Sequence, residues 1–305
     1  MAINRAQLVK ELEPGLNALF GLEYKRYADE TGMIFDSEGS DRAFEEEVML
    51  GGFGAAVNKG EGAGVTYDTA SEAWTARYQH ETVALAFALT EESIEDNLYE
   101  KLSSRYTKAL ARSMAHTKNV KGASVLNNAF SASYLGGDGK SLIEKTADGH
   151  PLLSGGVLAN SPTTDTDLNE TALENAYIEI AAWTDERGLK IACQPKSLII
   201  PPALTFVAER ILNSSLRPGT ADNDLNAIAS KSAIPGGYDV NHYLTDADAW
   251  FIKTDAPNGL KHFTRVKMKT GMEGDFETGS VRYKARERYS FGWSDFRAIY
   301  GNSGE

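Results

Sequence analysis

A single cysteine, Cys193, stands in 305 residues. That excludes an intrachain disulfide framework and a cysteine-built zinc cluster, and it fits a reducing compartment. No apolar run is long enough to span a bilayer. The opening MAINRAQLVKELEPG lacks the apolar stretch of a secretory signal, so the sequons at Asn169 and Asn213 are expected to be idle. Positive charge is also short. The 31 Lys and Arg against 43 Asp and Glu leave a net charge of −12. This argues against a dedicated nucleic-acid binder, because phosphate affinity needs a basic surface.

Catalytic signatures are missing as well. There is no P-loop, no GxSxG elbow and no HExxH pair, and the five histidines are scattered. GFGAAV at Gly52 has half a dinucleotide fingerprint but no third glycine. Asp165, Asp167 and Asn169 begin like a calcium loop, but its sixth position is Glu170 rather than Gly and its twelfth is Ala176 rather than Glu. Neither cofactor nor metal is expected, and the chain does not read as an enzyme.

What is present is organised around residues 90–128, which read as one long helix. Thr90 suits an N-cap, and Glu91 and Glu92 suit the positive end of the helix dipole. Gly122 is the one weak point, at about 1 kcal/mol against Ala. Ile94, Leu98, Leu102, Tyr106, Leu110 and Met114 recur every four residues. A step of four overshoots a turn by about 40°, so the stripe winds and the two ends must bury different faces against different partners. Such a helix is a spine.

Before it, residues 1–31 are helical in part, interrupted by Pro14. An acidic run follows: Asp36, Glu38, Asp41, Glu45, Glu46 and Glu47. It is either a solvated face or an arm that docks on a basic neighbour. Residues 48–89 form a long hairpin-like extension with a glycine-rich middle that cannot pack a core of its own. Trp74, Ala76 and Tyr78 share one face of its returning strand. An unsupported hairpin is marginal in water, so it folds back on its own domain or lies on another chain.

After the spine, 131–165 reads as loops. A helix is expected over about Glu170–Arg187 with Gly188 past its end. Leu198–Ile200 is a short buried strand closed by Pro201 and Pro202, before a helix carrying Phe206, Val207, Ile211 and Leu212. Residues 213–237 read as a polar loop, and a strand pair follows at Tyr238–Tyr243 and Trp250–Thr254. The clearest strand runs from Val281 to Trp293. Its odd positions, ending in Tyr289, Phe291 and Trp293, are apolar with the one exception of Glu287. Its even positions carry Arg282, Lys284, Arg286 and Arg288. This row of four cations is a solvated strand face or an intersubunit docking strip. Physical reading alone ends at a soluble α+β protein with a spine helix, two unsupported extensions and no active site.

Three stretches, KSLIIPPALTFVAERILNSS, YDVNHYLTDADAWFIKTDAPNGL and ERYSFGWSDFRAIYGNSG, resemble the major capsid proteins of tailed bacteriophages with the HK97-type fold. The resemblance runs from about residue 48 onward. It implies an N-terminal arm (1–48), an E-loop (49–82), and a peripheral domain (83–165) built on the spine helix at about 90–128. An axial domain (166–264) follows, and C-terminal strands (265–305) return to the peripheral domain. The implied function is self-assembly into hexamers and pentamers of an icosahedral head that encloses DNA and touches it only non-specifically.

The partners implied are further copies of the chain, a separate scaffolding protein, a portal and optional decoration proteins, with no membrane. The places implied are the virion capsid and, during assembly, the host cytoplasm. Candidate intersubunit residues are Lys59, Trp74, Tyr78, Arg282, Lys284, Arg286 and Arg288. Candidate core residues are Leu98, Leu102, Leu110, Tyr289, Phe291 and Trp293. The family's type member crosslinks an E-loop lysine to an asparagine of another subunit. Lys59 is the only lysine of this E-loop, but the sequence marks neither partner asparagine nor buried carboxylate, so a non-covalent shell is expected. The alternatives are an encapsulin-type nanocompartment shell housing a cargo enzyme and, third, a soluble enzyme with an unrecognised site.

Overall fold

The structure, a computed structural model, describes residues 5–90, 99–217, 224–275 and 279–304, with side chains throughout these except in 5–12 and 99–102. The long C-terminal strand lies at the centre of one four-stranded sheet. β1 (Asp36–Gly39) runs parallel to β10 (Leu260–Gly274), β10 pairs antiparallel with β11 (Val281–Trp293), and β11 pairs antiparallel with β4 (Glu81–Leu89). Along β11 the odd residues from Val281 to Tyr289 are buried, while Arg282, Lys284 and Arg286 are exposed. The period of two has thus become two faces.

The buried face is covered by α1 (Arg5–Arg26) and by the spine α3 (Tyr99–Asn127). Leu16 and Phe20 of α1 meet Leu110, Ala111 and Met114 of the spine over Tyr283 and Ala285. The expected interruption at Pro14 does not occur, and α1 runs through it. The lost backbone hydrogen bond, costing about 3 kcal/mol, is offset by this apolar contact on the C-terminal side of the proline.

The second half of the spine buries a different face. Val125 and Leu126, with Ala129 beyond the helix, pack with Ile34 and Phe35, which end and follow the short α2 (Thr31–Ile34). The same cluster contains Trp293 and Leu260 of the first sheet and Ile199, Phe251 and Ile299 of a second. The winding stripe therefore joins two cores. Gly122 is no weak point, because Thr31 approaches it too closely for a side chain.

The second sheet has the order β12 (Ile299–Asn302), β9 (Trp250–Thr254), β7 (Pro195–Ile200), β8 (Tyr238–Val240). Leu198 and Ile200 point to α4 (Glu170–Ala182), α5 (Thr205–Asn213) and α6 (Ala227–Lys231), and Ile199 points to the spine side. A strand covered on both faces reads as a continuous apolar run.

Four sequence expectations are corrected here. β8 and β9 do not pair with each other but flank β7 on opposite sides. The first helix of this region ends at Ala182, because Trp183 turns to extended backbone and buries itself in the core. The span 213–237 contains α6, whose Ile228 is buried. Residues 299–302 do not return to the first sheet, since β12 completes the second by pairing with β9.

Candidate intersubunit surfaces

The extension is a two-stranded ladder, β2 (Phe44–Gly51) with β3 (Ser71–Gln79), which begins at Phe44↔Gln79 rather than at 49. Its root is fastened to its own chain. Trp74, Ala76 and Tyr78 share one face, and that face lies over the end of β11. Trp74 Nε1 donates to the Ser294 carbonyl at 3.1 Å, and the Tyr78 hydroxyl meets Ser294 Oγ at 2.5 Å. Tyr78 packs edge-on against Phe263 and is buried. The assignment of Tyr78 to a neighbouring chain is therefore corrected, because its side chain is buried at home, whereas Trp74, anchored to the same chain through Ser294, remains partly exposed.

Beyond this root the support ends. Residues 52–70 contain no helix or strand, and Lys59 is exposed within them. Leu50, Phe53, Val57 and Val65 are exposed, and Tyr67 is 94% exposed. The loop is tethered at Asp68, which accepts from the Gly54 amide at 2.7 Å and pairs with Arg187 at 3.1 Å. Exposed apolar side chains gathered on one projection mark an interaction surface. These four loop residues and Leu50 were missed in the sequence because glycines dominate the composition around them. The available signal was a large apolar residue recurring in a stretch with no core to join.

The cationic row lies on the outer face of the first sheet. Arg282 pairs with Asp275. Lys284 and Arg286 are exposed and have no ion-pair partner among the described residues, and Arg288 is partly buried. Lys269 stands directly across the ladder from Arg286, while Ala88, Ala86 and Ala84 stand across from Arg282, Lys284 and Arg286 on β4. Like charges facing each other across a ladder are unfavourable, and a shelf of methyl groups beside them leaves room for an incoming acidic group.

The acidic run before the extension is a largely solvated face, with Asp36, Glu38, Asp41 and Glu46 exposed, but four of its carboxylates are engaged within their own chain. Asp36 pairs with Lys253 at 3.1 Å, Glu38 with Lys261 at 3.0 Å, Glu47 also with Lys261, and Glu46 with Arg77 at 3.7 Å. Lys261 is nearly buried. Burial alone would lower its ammonium, but hydrogen bonds to Glu47 and Glu38 hold it above its ordinary value. Glu91, Glu92, Glu95 and Asp96 at the start of the spine lie outside the described residues.

Of the candidate core residues, Leu110, Tyr289 and Trp293 are buried and Phe291 is half-buried. Leu98 and the side chain of Leu102 lie outside the description. The buried polar groups are structural in character. Arg297 joins Glu186 at 2.6 Å and Asp295 at 3.2 Å, with all three side chains almost fully enclosed. His150 stacks on Phe296 at 3.6 Å and meets Asp138 at 2.5 Å. Burial pushes the Cys193 thiol up to about 11, which leaves it unreactive at neutral pH. Among the described residues no group of His, Cys, Asp and Glu is arranged to hold a metal, and no helix is long and apolar enough to cross a membrane.

A family profile described as phage capsid protein matches residues 45–302. Among solved structures, the chain is similar to a virus-like particle from Pyrococcus furiosus, at 13% identity over 94% of this chain and 97% of that one, with a TM-score of 0.51. It is similar to the capsid of Myoviridae phage XM1, at 14% identity over 89% of each chain and a TM-score of 0.50. A phage-related protein from Bordetella bronchiseptica RB50 matches at 11% identity over 93% and 95%, also with a TM-score of 0.50. At these identities the likeness is one of fold. No curated protein matches the chain in sequence.

Proposed function

The chain belongs to the phage capsid protein family, and from that premise we propose how its surfaces build a shell. It is a shell-forming major capsid protein of HK97-type fold, a structural component of the virion that associates with itself. In our reading the copies close into hexamers and pentamers of an icosahedral head. The arm, the 44–79 extension, the sheet on the spine and the second sheet with its helices act as N-terminal arm, E-loop, peripheral domain and axial domain.

The observation that carries this reading is the apolar loop 52–70, exposed in the isolated chain but rigidly rooted through Trp74 and Tyr78. A rooted lever with an uncovered apolar end suits a heterologous contact, in which one surface of a copy meets a different surface of the next and the ring gains stability on closing. The Lys284–Arg286 strip is a second contact, with an acidic segment of another copy as its partner. A scaffolding protein, a portal, decoration proteins and assembly in the host cytoplasm belong to the same proposal. Replacing Val65 and Tyr67 by serine tests it. The chain should fold normally and fail to form closed shells in electron micrographs, and normal shells from this variant would remove the loop from the interface.

The likeness in fold to a virus-like particle from Pyrococcus furiosus keeps an encapsulin-type compartment as the second reading. DNA inside purified particles decides for the head, and a protein cargo for the compartment.

A further inference from the structure

Glu287 breaks the apolar pattern of β11, and the structure places it inside. It is 5% exposed, on the face of the sheet covered by α1 and the spine, with Val83 of β4 as its ladder partner. One carboxyl oxygen, Oε2, accepts a long hydrogen bond of 3.4 Å from the Tyr24 hydroxyl, near the end of α1. The other, Oε1, is buried with no hydrogen-bond partner, and so is the hydroxyl of Tyr289 two residues along.

The groups that face Glu287 come from every element around it. α1 contributes Tyr24, which is stacked on Phe20. The segment after α1 contributes Asp29, and the spine contributes Lys118. These two are paired with each other at 2.7 Å, so the cation that acts on Glu287 is already committed. β11 contributes Tyr289, whose ring lies edge-on to His262 of β10, and Glu81 of β4 acts on Tyr289 from the other side. Burial and the Lys118 ammonium push the His262 imidazole down to about 4, leaving it neutral at pH 7. An ionised Glu287 would therefore be a buried charge without a counter-charge in contact, which is expensive. A protonated one is neutral and keeps its contact with the Tyr24 hydroxyl.

We propose that Glu287 is a proton-operated latch for the N-terminal helix: with the proton bound it holds α1 seated on the sheet and spine, and losing the proton loosens α1. α1 is the element able to yield. Among the described residues its other polar ties to the sheet are those of Asn17, which accepts from Tyr283 at 2.9 Å and Thr270 at 2.7 Å. Letting water reach Glu287 by moving a helix costs less than opening a hydrogen-bonded sheet.

The sign follows from the carboxyl itself. Burial raises it from the ordinary value to about 7, with Asp29 adding to the rise and Lys118 and the Tyr24 hydrogen bond opposing it. The proton's contribution is fully present below the ordinary carboxylate range. It is lost as pH climbs through about 7. A shift of this size makes closure of α1 roughly 50-fold more favourable at about pH 5 than at about pH 7.5. The device resides in the single chain and does not depend on the shell reading.

The test is hydrogen exchange on the full-length unassembled chain, corrected for the intrinsic pH dependence of exchange. Amides of residues 13–26 should gain protection by tens of fold as pH falls from 7.5 to 5, while strand amides of β10 and β11 change little. Glu287→Gln, neutral at every pH and nearly the same shape, should keep α1 protected throughout. A transition that survives in Glu287→Gln assigns the effect to another group and overturns the latch, as does wild-type protection that does not vary with pH. Should the variant fail to fold, infrared titration of the wild-type carboxyls still decides. A buried carboxyl titrating near pH 7 supports the proposal, and its absence overturns it.

Discussion

Thr31 occupies the space that a side chain at Gly122 would need. A Cβ built there would lie 2.7 Å from Thr31 Cγ2 and 3.6 Å from Phe35. Thr31 is itself pinned, because its hydroxyl and amide both donate to Asp29, at 2.5 and 3.0 Å. The glycine lets α2 approach the backbone of the spine.

Gly122→Ala should therefore destabilise the chain. Helix propensity alone favours Ala by about 1 kcal/mol, but overpacking a fixed contact costs about 1–3 kcal/mol. Chemical denaturation of the unassembled chain should give a lower midpoint, and a higher one would mean that α2 shifts freely.

Trp293→Ala removes a ring that is 8% exposed where the two sheets and the spine meet. The expected loss is about 3–5 kcal/mol, with insoluble protein instead of soluble capsomers. Stability close to that of the wild type would place the strand in the wrong phase.

Lys261→Met should free both acidic segments that the lysine holds, Glu38 of the arm and Glu47 of β2. Losing hydrogen bonds to charged groups costs about 1.5–3 kcal/mol. Protease sensitivity should rise at 36–50 before global unfolding, and uniform sensitivity along the chain would contradict this clamp.

Replacing residues 59–66 by a two-residue turn should leave the melting temperature nearly unchanged, because the loop brings little to any core and loops close at modest entropic cost. The deletion keeps Asp68 and its tie to Arg187. Electron microscopy should find free capsomers or irregular sheets. Loss of folding would place the loop in the core.

Mature particles boiled in SDS should release single chains with no covalent multimers. A covalent ladder that disappears in Lys59→Ala would restore the crosslinking reading.

Legibility followed the source of each constraint. The period of two along 281–293 and the step of four along the spine were readable because local periodicity records which face is buried. Contacts between distant segments left no such record. Nothing local to Gly122 announces Thr31, and nothing in Glu38 or Glu47 announces Lys261. Trp74 and Tyr78 were singled out as a shared face, and Tyr78 was attached to the wrong surface, because alternation says which residues travel together and not what they meet. The apolar residues of 52–70 were obscured for another reason: their significance lies in having nothing beneath them.

Neither sheet is encoded as one uninterrupted segment. β1 pairs with β10 through Asp36↔Lys261, and β12, at 299–302, completes a sheet whose other strands end at 254. Ladders that close over such distances form slowly. On the ribosome, the first sheet stays incomplete until 260–293 has emerged and the second until 299–302 has followed. The rooted lever that a neighbouring copy would grip depends on Ser294, so it too is fixed only once that residue has emerged. A nascent chain short of that point has no fixed lever to offer another copy, and the order of the strands itself delays association until both sheets are closed.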